Sequence, residues 1–568
     1  MACQAGQVNP STAQAGVIVD ELVRNDVRHV VLTPGSRNAA LAMALHDAAE
    51  TGRLTLHVRI DERAAGFLAL GLARGSGRPA AVVCTSGTAV ANLHPAVLEA
   101  FYGGVGLLAI TADRPPELHG TGANQTIDQR GLFGPAAVAV EFPVAERREG
   151  QNPVWRGLVC RAVAQAEHGR PVQVNVPFRE PLVPTFEPRW PDSLDGRPDG
   201  RRWTTSAAPV SMAGSRVDFQ LPARTMMVVG SGRDDRARAA ATVAATAGWP
   251  VVAEPTGSAA AMSGGAAVLR CGALLLSLGE LPTALRPDAV VVVGRPTLSR
   301  GVRGLMGRAP VYGIGDHPQW TDPQYVATHV RGWLDLDDMS RVDGVDEEWL
   351  AAWRGADASA ATAVDKLLDE QPWPTGLQLA AEVVAALPPG AVLFLGSSNP
   401  VRDVDLVAEP RSDVRVCANR GVAGIDGNVS SAAGIALGQD GPAYALIGDL
   451  TLLHDLNGLL VGPAERRPDL TVVVHNDDGG GIFTLLEQGA AEYHRSFERV
   501  FGTPHGADLA ALCAGYHVPH TLAGDRAELR AALAPARGLR VVEVRSNRVL
   551  LRDLHARLRA AVAEAALR

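Results

Sequence analysis

The sequence predicts an α/β protein of three doubly wound parallel-sheet domains, and three observations predict it. Three stretches of the chain share one rhythm, a short Val/Ile/Leu run, a turn of Gly, Ser, Asn or Asp, then an Ala/Leu-rich helical stretch. The length, 568 residues, suits three to four domains at about 150 residues each. Hydrophobic residues make up 46% and charged residues 20%, enough apolar surface for several cores and too much for a disordered chain.

In chain order, Ser11 is placed to cap a first helix whose Ala15, Ile18, Val19, Leu22 and Val23 keep one stripe, and a strand follows over 29–34. Further strands are expected at 80–86, 107–113 and 172–177, giving an N-terminal α/β domain over 1–190. Pro, Arg, Asp and Ser then replace the periodic pattern, and 191–224 is read as a linker. The middle α/β domain, 225–340, opens with a strand at 225–232 and carries another at 289–296. A polar helical connection, 341–372, leads to a C-terminal α/β domain, 373–568, with strands at 391–398, 414–419, 443–449, 470–477 and 540–546. The first and third domains look like two versions of one architecture. A basic amphipathic helix over about 549–568 is expected to pack on its own domain or on a second subunit.

Against 61 acidic residues stand 53 basic ones, a net charge of −8, which leaves no electrostatic footprint for nucleic acid. Lys366 is the only lysine. The six cysteines, Cys3, Cys84, Cys160, Cys271, Cys417 and Cys513, have neither CxxC nor zinc spacing and read as buried thiols of a reducing compartment. No signal-like leader and no apolar run of some 18 residues is present, so a cytoplasmic protein without stable membrane insertion is expected.

The chemistry concentrates in Gly448–Leu459 (GDLTLLHDLNGL) and Val472–Phe483 (VVVHNDDGGGIF). A strand delivers Asp449 to the carboxyl edge of a sheet, where α/β proteins bind ligands. Asp477 follows 28 residues later, room for one helix and a returning parallel strand. Carboxylate, amide and backbone oxygens beside a glycine-rich turn suit a hard cation that retains phosphate oxygens of its ligand. In the first domain, 57–77 (HVRIDERAAGFLALGLARGSG) reads as a strand ending in Asp61 and Glu62, followed by a helix with a small-residue face. Six arginines, Arg37, Arg114, Arg295, Arg300, Arg402 and Arg420, lie beside Gly, Pro, Ser or Asn at strand ends. Forked guanidiniums in such loops suit polycarboxylate ligands.

The paired motifs resemble the fingerprint of thiamin diphosphate-dependent enzymes. The resemblance implies that Asp449, Asp477 and the carbonyl of Gly479 hold Mg²⁺ (or Mn²⁺) on the cofactor's diphosphate, and that Glu62 activates the cofactor through its aminopyrimidine. Leu450 stands where that fingerprint has Gly, and Asp477 where it has Asn, with Asn476 just before it, so Asn476 remains an alternative ligand. The segments at 33–41, 85–97, 111–118, 120–129, 397–403, 419–427 and 479–488 narrow the likeness further, being similar to the 2-succinyl-5-enolpyruvyl-6-hydroxy-3-cyclohexene-1-carboxylate synthase family of menaquinone biosynthesis. That family implies a transferase that decarboxylates 2-oxoglutarate and adds the succinyl unit to isochorismate. It further implies a pyrimidine-binding role for the first domain, a diphosphate-binding role for the third, and a homodimer or homotetramer with the site between chains.

By the same resemblance Thr85, Ser397, Ser398, Asn399, Gly424, Gly448, Leu450, Gly480, Ile482 and Phe483 line the cofactor, and Ile425 is the apolar wedge against it. Ser36, Arg37, Arg114, Asn124, Gln125, Arg295, Arg300, Ser398, Arg402, Arg420 and Phe483 face substrate, with Arg295 and Arg300 open to exchanging roles. The alternative is another thiamin-dependent carboligase or 2-oxo acid decarboxylase, acetolactate synthase-like, whose smaller substrates do not call for so many loop arginines. GSGRDD, from 230, carries Asp235 in place of a dinucleotide motif's third glycine and reads as a tight turn. His94, His119, His454 and His475 read as hydrogen-bonded structural histidines.

Overall fold

The computed structural model describes residues 8–185, 190–206, 219–315 and 320–566. The chain forms two compact units, one of Met1–Pro209, Gly421–Asp440 and His454–Asp469, the other of Val210–Arg420, Gly441–Leu453 and Leu470–Arg568. The first unit holds strands β1 His29–Leu32, β2 Thr55–Val58, β3 Ala80–Cys84, β4 Leu107–Asp113, β5 Val138–Glu141 and β6 Val172–Pro177. They pair in parallel, in the order β2-β1-β3-β4-β6-β5. Every residue of β3, β4 and β6 is buried, as expected of central parallel strands covered by helices on both faces.

The second unit holds two sheets. The middle sheet comprises β7 Thr225–Val229, β8 Pro250–Ala253, β9 Ala267–Val268, β10 Ala289–Val293, β11 Val311–Ile314 and β12 Ala327–Arg331. Its order, β12-β11-β10-β7-β8-β9, runs outward from the first strand in both directions. The other sheet has β13 Val392–Leu395, β14 Arg415–Ala418, β15 Ala443–Gly448, β16 Leu470–Asn476, β17 His520–Leu522 and β18 Leu539–Arg545. Its order, β14-β13-β15-β16-β18-β17, repeats that of the first sheet strand for strand, so the first and third stretches share one topology. In such folds ligands sit beyond the carboxyl ends of the strands where the order reverses, here beside β1 and β3, β7 and β10, and β13 and β15.

One apolar core runs from Met226 and Val290 through Trp349, Trp353 and Val364 to Leu393, Leu446, Val473, Leu554 and Leu558. The polar stretch of the connection is therefore a helix, Glu347–Asp369, with one buried face, and the terminal helix Leu551–Ala566 buries Leu554, His555, Leu558 and Val562. No helix among the described residues is long and apolar enough to cross a membrane. Cys84, Cys160, Cys271, Cys417 and Cys513 are buried and unpaired in disulfides, while Cys3 lies outside the described residues. Of the expected linker, 207–218 also lies outside them.

Most expected strands end one to three residues early, such as Thr225–Val229 for 225–232 and Ala289–Val293 for 289–296, and three boundaries differ for a specific physical reason. The first helix, Pro10–Arg24, is capped by Asn9, whose side chain accepts from the Thr12 amide at 2.9 Å. Pro10 fixes the first helical turn, so the cap must precede it, and Ser11 instead donates to the Arg179 carbonyl at 2.5 Å. Strand β2 ends at Val58 rather than at Asp61, because the apolar pattern overruns the strand into Ile60, which is 70% exposed. The terminal helix begins at Leu551, behind a 3₁₀ turn over Arg548–Leu550.

In the first unit the small-residue face of helix Glu62–Ser76 packs against helix Asn428–Gly438. A Cβ at Gly71 would lie 2.1 Å from the Ser431 carbonyl, one at Gly75 2.7 Å from that of Ile435, and one at Gly434 2.2 Å from that of Leu68. The backbones touch where side chains would otherwise stand. Gly71→Ala is therefore expected to destabilise the protein by about 1–3 kcal/mol in denaturant unfolding, overpacking outweighing the better helix propensity. Gly157→Ala is the control, in helix Gln151–Glu167, where an added Cβ would meet nothing within 4 Å. It should be neutral or stabilising.

Candidate active site

At the carboxyl edge of the first sheet the loops after β1 and β3 touch, since a Cβ at Gly35 would fall 2.4 Å from that of Thr85. Arg37, buried, donates from Nη1 to the Phe178 carbonyl at 2.9 Å and lies 3.7 Å from Glu180. Burial and the nearby charge of Arg114 hold its guanidinium below the usual arginine range. Arg114 donates to Ser86 Oγ at 3.1 Å and to the Asn124 carbonyl at 3.2 Å. Gln125, at φ 55°, donates to the Ser86 carbonyl, and Ser86 Oγ returns a bond to the Gln125 carbonyl, both at 2.9 Å. Arg37, Arg114, Asn124, Gln125 and Thr85 thus share one edge, with Ser36 exposed beside them.

Glu62 opens its helix, and its charge is felt by the buried Cys84 thiol at the end of β3, which burial raises far above the usual range. Asp61 is spent on structure. It caps the helix through the amides of Arg63 and Ala64, at 2.9 and 3.3 Å, and accepts from Asn457 Nδ2 at 2.8 Å. Among the described residues no hydrogen bond engages the Glu62 carboxylate. In the same unit the loop carrying Gly424 and Ile425 is fastened at both ends. Buried Glu99 accepts from the amides of Gly421 and Val422, each at 2.7 Å, and Asn428 Nδ2 donates to the carbonyls of Gly424 and Asp426, at 3.0 and 2.9 Å.

In the second unit β15 ends at Gly448 and Asp449 opens the short helix Asp449–His454. Leu450 lies inside that helix, in a backbone any residue adopts, so the absence of glycine there costs nothing. Asp449 is 2% exposed; its Oδ1 accepts from the Leu450 amide at 2.6 Å and its Oδ2 from the Gly479 amide at 2.9 Å. Gly479, at φ 138°, Gly480 and Gly481 admit no side chain. Their Cβ atoms would lie 1.9 Å from the Gly502 carbonyl, 2.2 Å from that of Phe501, and 2.0 Å from Asp477 Oδ2. Burial and the Asp449 charge push the Asp477 carboxyl up to about 7.

Asn476 is engaged at both ends of its amide, Nδ2 donating to Glu543 at 2.7 Å and Oδ1 accepting from the Asp478 amide of the turn at 3.0 Å. Beside Asp477 stands Asn399, whose buried Oδ1 has no hydrogen-bond partner. It opens helix Asn399–Val407 after Ser397 and Ser398, the latter held at φ 81°. Ile482 and Phe483 follow in a 3₁₀ turn, with Phe483 5.8 Å from the Phe501 ring.

The arginines of this unit gather around a buried acid. Arg420 donates through Nε and Nη2 to Thr297 Oγ1, at 3.2 and 2.7 Å, and Arg402 donates to the Ser398 carbonyl at 3.3 Å. Arg300 is close enough to Arg402 to weigh on its charge, while Arg295 has its backbone bridged to Ser231. The acid is Glu254, at the end of β8, which accepts from the amides of Thr297 and Leu298.

Two models of thiamine pyrophosphate enzymes match the chain, that of the N-terminal TPP binding domain over residues 13–132 and that of the C-terminal TPP binding domain over 408–544. The chain is 52% identical to the 2-succinyl-5-enolpyruvyl-6-hydroxy-3-cyclohexene-1-carboxylate synthase of Saccharopolyspora erythraea over 98% of its own length and 99% of the relative's. It is 49% identical to the synthase of Rhodococcus erythropolis over 97% and 100%, and 47% identical to that of Mycobacterium marinum over 98% and 100%. The chain belongs to the 2-succinyl-5-enolpyruvyl-6-hydroxy-3-cyclohexene-1-carboxylate synthase family. A thiamin diphosphate-dependent transferase of menaquinone biosynthesis is thus the identity its motifs imply.

The histidines near the synthase motifs make local contacts. His94 packs edge-on to Phe133, His119 bonds to the Arg114 carbonyl, His454 contacts Arg63, and His475 lies 2.6 Å from Ser546 Oγ. The GSGRDD turn is a close crossing, where a Cβ at Gly230 would fall 2.2 Å from the Arg295 carbonyl carbon. Sequence reasoning missed three residues. His505 accepts from the Ala507 amide at Nδ1, so Nε2 carries the proton it offers to Asp449 Oδ2 at 3.2 Å. Glu99 had one signal, a lone acid on an apolar helix; Glu254 had another, an acid closing a buried strand before Pro255. Glu99→Ala is expected to lower stability by about 2–4 kcal/mol, two buried amides losing a charged acceptor. Hydrogen exchange at 421 and 422 should quicken more than that of β3, which opens only with the unfolding of the whole unit.

Proposed function

We propose that this synthase, like the family's named activity, makes 2-succinyl-5-enolpyruvyl-6-hydroxy-3-cyclohexene-1-carboxylate from 2-oxoglutarate and isochorismate, with Glu62 as activating acid and the Asp449–Asp477 edge as cofactor anchor. The observation that carries the anchor is the cradle over Gly479–Gly481. A Cβ at Gly481 would fall 2.0 Å from Asp477 Oδ2 and 3.4 Å from Asn399 Nδ2, and Asn399 Oδ1 is buried without a hydrogen-bond partner. Two carboxylates, an amide oxygen and the Gly479 carbonyl form the hard-oxygen set that Mg²⁺ or Mn²⁺ takes together with phosphate. Asp477 is favoured over Asn476 as ligand, because both ends of the Asn476 amide are engaged elsewhere.

Bound thiamin diphosphate supplies the electron sink for loss of CO₂ from a 2-oxo acid. Glu62, free of the capping duty that Asp61 performs, is available to hold a proton against the aminopyrimidine. Ser397, Ser398, Gly448, Gly480 and Ile482 would border the cofactor, with Ile425 on its fastened loop as wedge, and Thr85, Gly424, Leu450 and Phe483 beside it. Arg37, Arg114, Asn124 and Gln125, with Ser36, form one carboxylate-recognition group, and Arg402 and Arg420, with Arg295 or Arg300, the other. Each guanidinium can fork onto a carboxylate.

The resemblance to thiamin diphosphate-dependent enzymes, in which the activating acid and the diphosphate motif of one site come from different chains, supports a homodimer or a homotetramer built from it. Residues 1–190 and 373–568 then serve as pyrimidine- and diphosphate-binding domains around a middle domain of 225–340. The enzyme is proposed to act in the cytoplasm.

The test is CO₂ release from 2-oxoglutarate with thiamin diphosphate, Mg²⁺ and isochorismate, each omitted in turn. Release that needs all four is expected, and Glu62→Gln should lower kcat by about a thousandfold or more while leaving the fold intact. Equally fast release without isochorismate, or release from pyruvate alone, would instead favour the acetolactate synthase-like alternative. Asp477→Asn, which retains an oxygen donor, should keep Mg²⁺-dependent activity within about tenfold, whereas Asp477→Ala should lose it.

A further inference from the structure

Glu254 is 4% exposed, and no residue of the reaction as proposed above accounts for it. It follows the buried strand β8 and precedes helix Pro255–Ser263, its own amide donating to the Val229 carbonyl at 2.8 Å. Its backbone is thereby tied to the middle sheet at the point where the strand order reverses. One carboxylate oxygen, Oε1, accepts from two consecutive amides, those of Thr297 and, at 2.6 Å, Leu298. A single oxygen taking two neighbouring N–H groups fixes the turn that carries them, as a charged acceptor is stronger than a neutral one. The hydroxyl of that same Thr297 receives both bonds from Arg420.

The other oxygen, Oε2, is buried without a hydrogen-bond partner, and the charges of Arg420 and Arg402 both act on the group. The carboxylate therefore does two things at once. It sets the height of the Thr297 hydroxyl under Arg420, and together with the buried Asp405 it forms the acidic surroundings of Arg402 and Arg420.

We infer that Glu254 is a positioning residue for substrate recognition, aiming the Arg420 guanidinium through Thr297 so that it and Arg402 present their forks to a substrate carboxylate. The inference rests on the proposed substrate role of Arg402 and Arg420. An arginine restrained in this way loses less freedom on binding, which raises affinity without a direct contact from the acid. Glu254 itself touches neither substrate nor cofactor, so its loss should appear in KM for one substrate and not in cofactor affinity.

The experiment is a double-mutant cycle on the full-length enzyme with both substrates, using Arg420→Met, Glu254→Ala and the double variant. The substrate whose KM rises in Arg420→Met should be the one whose KM rises in Glu254→Ala, by about tenfold, with kcat within about threefold and thiamin diphosphate affinity by titration calorimetry unchanged. The double variant should be no worse than Arg420→Met alone. Glu254→Gln keeps an oxygen for the two amides and should recover most of the KM. If Glu254→Ala does not fold, Thr297→Val, which removes only the hydroxyl, is expected to raise the same KM. Additive effects, a rise in the other substrate's KM, or an equal loss of cofactor affinity would overturn the inference and leave the function standing. An Arg420→Met enzyme with both KM values unchanged would overturn the substrate role of Arg420 itself, and this inference with it.

Discussion

Two carboxylates held in one buried edge are the constraint on which the C-terminal half of the chain depends. Asp449 and Asp477 follow directly on adjacent parallel strands, β15 and β16; among the described residues His505 is the basic side chain bonded to the Asp449 carboxylate, and Arg548 donates to the Asp477 backbone carbonyl at 2.6 Å. Placing them there raises the energy of the ligand-free protein, since burial and mutual repulsion both oppose the second charge. The surroundings are built to tolerate this. The Gly479 amide and His505 bond to Asp449, and three glycines let the turn pass within contact of the Gly502 and Phe501 carbonyls and of the Asp477 carboxylate, where no added Cβ would fit. A divalent cation held with a diphosphate, as proposed, would invert that balance, turning the repulsion of two acids into joint attraction for one ion.

The same logic of backbone proximity appears in the first unit. Gly71, Gly75 and Gly434 let two helices meet backbone to backbone, so the helix that begins at Glu62 is set by van der Waals contact along its length. Asp61 takes the cap and the bond from Asn457, which leaves Glu62 uncommitted at the end of a rigid element. Buried acids elsewhere serve as fasteners for loops. Glu99 fixes 421–422 and Glu254 fixes 297–298, each by accepting from consecutive amides. A functional loop can thus be well placed without being part of a strand or helix.

The parts legible in the sequence were those written in local pattern. Strands buried on both faces appear as apolar runs, unbroken over 80–84 and centred on Val472–Val474 in 470–476, and the interval from Asp449 to Asp477 encodes one strand–helix–strand unit. Short or half-exposed strands did not declare themselves: β5 alternates Val with Ala and Glu, β9 is two residues long and β17 three. The choice between Asn476 and Asp477 was unreadable because it turns on Glu543, on the neighbouring strand β18, and the roles of Glu99 and Glu254 turn on amides 322 and 43 residues away. At such separations the sequence shows the isolated acid but not the amides it accepts from.

The central claim, that Asp449 and Asp477 together hold one divalent ion on the cofactor's diphosphate, is tested most directly by electron paramagnetic resonance of Mn²⁺ titrated into the protein with thiamin diphosphate. The wild-type chain is expected to remove one equivalent of the free-ion signal only when the cofactor is present, and Asp449→Ala and Asp477→Ala should each leave that signal in solution. One tightly bound Mn²⁺ per chain in both variants would contradict the shared-ion assignment.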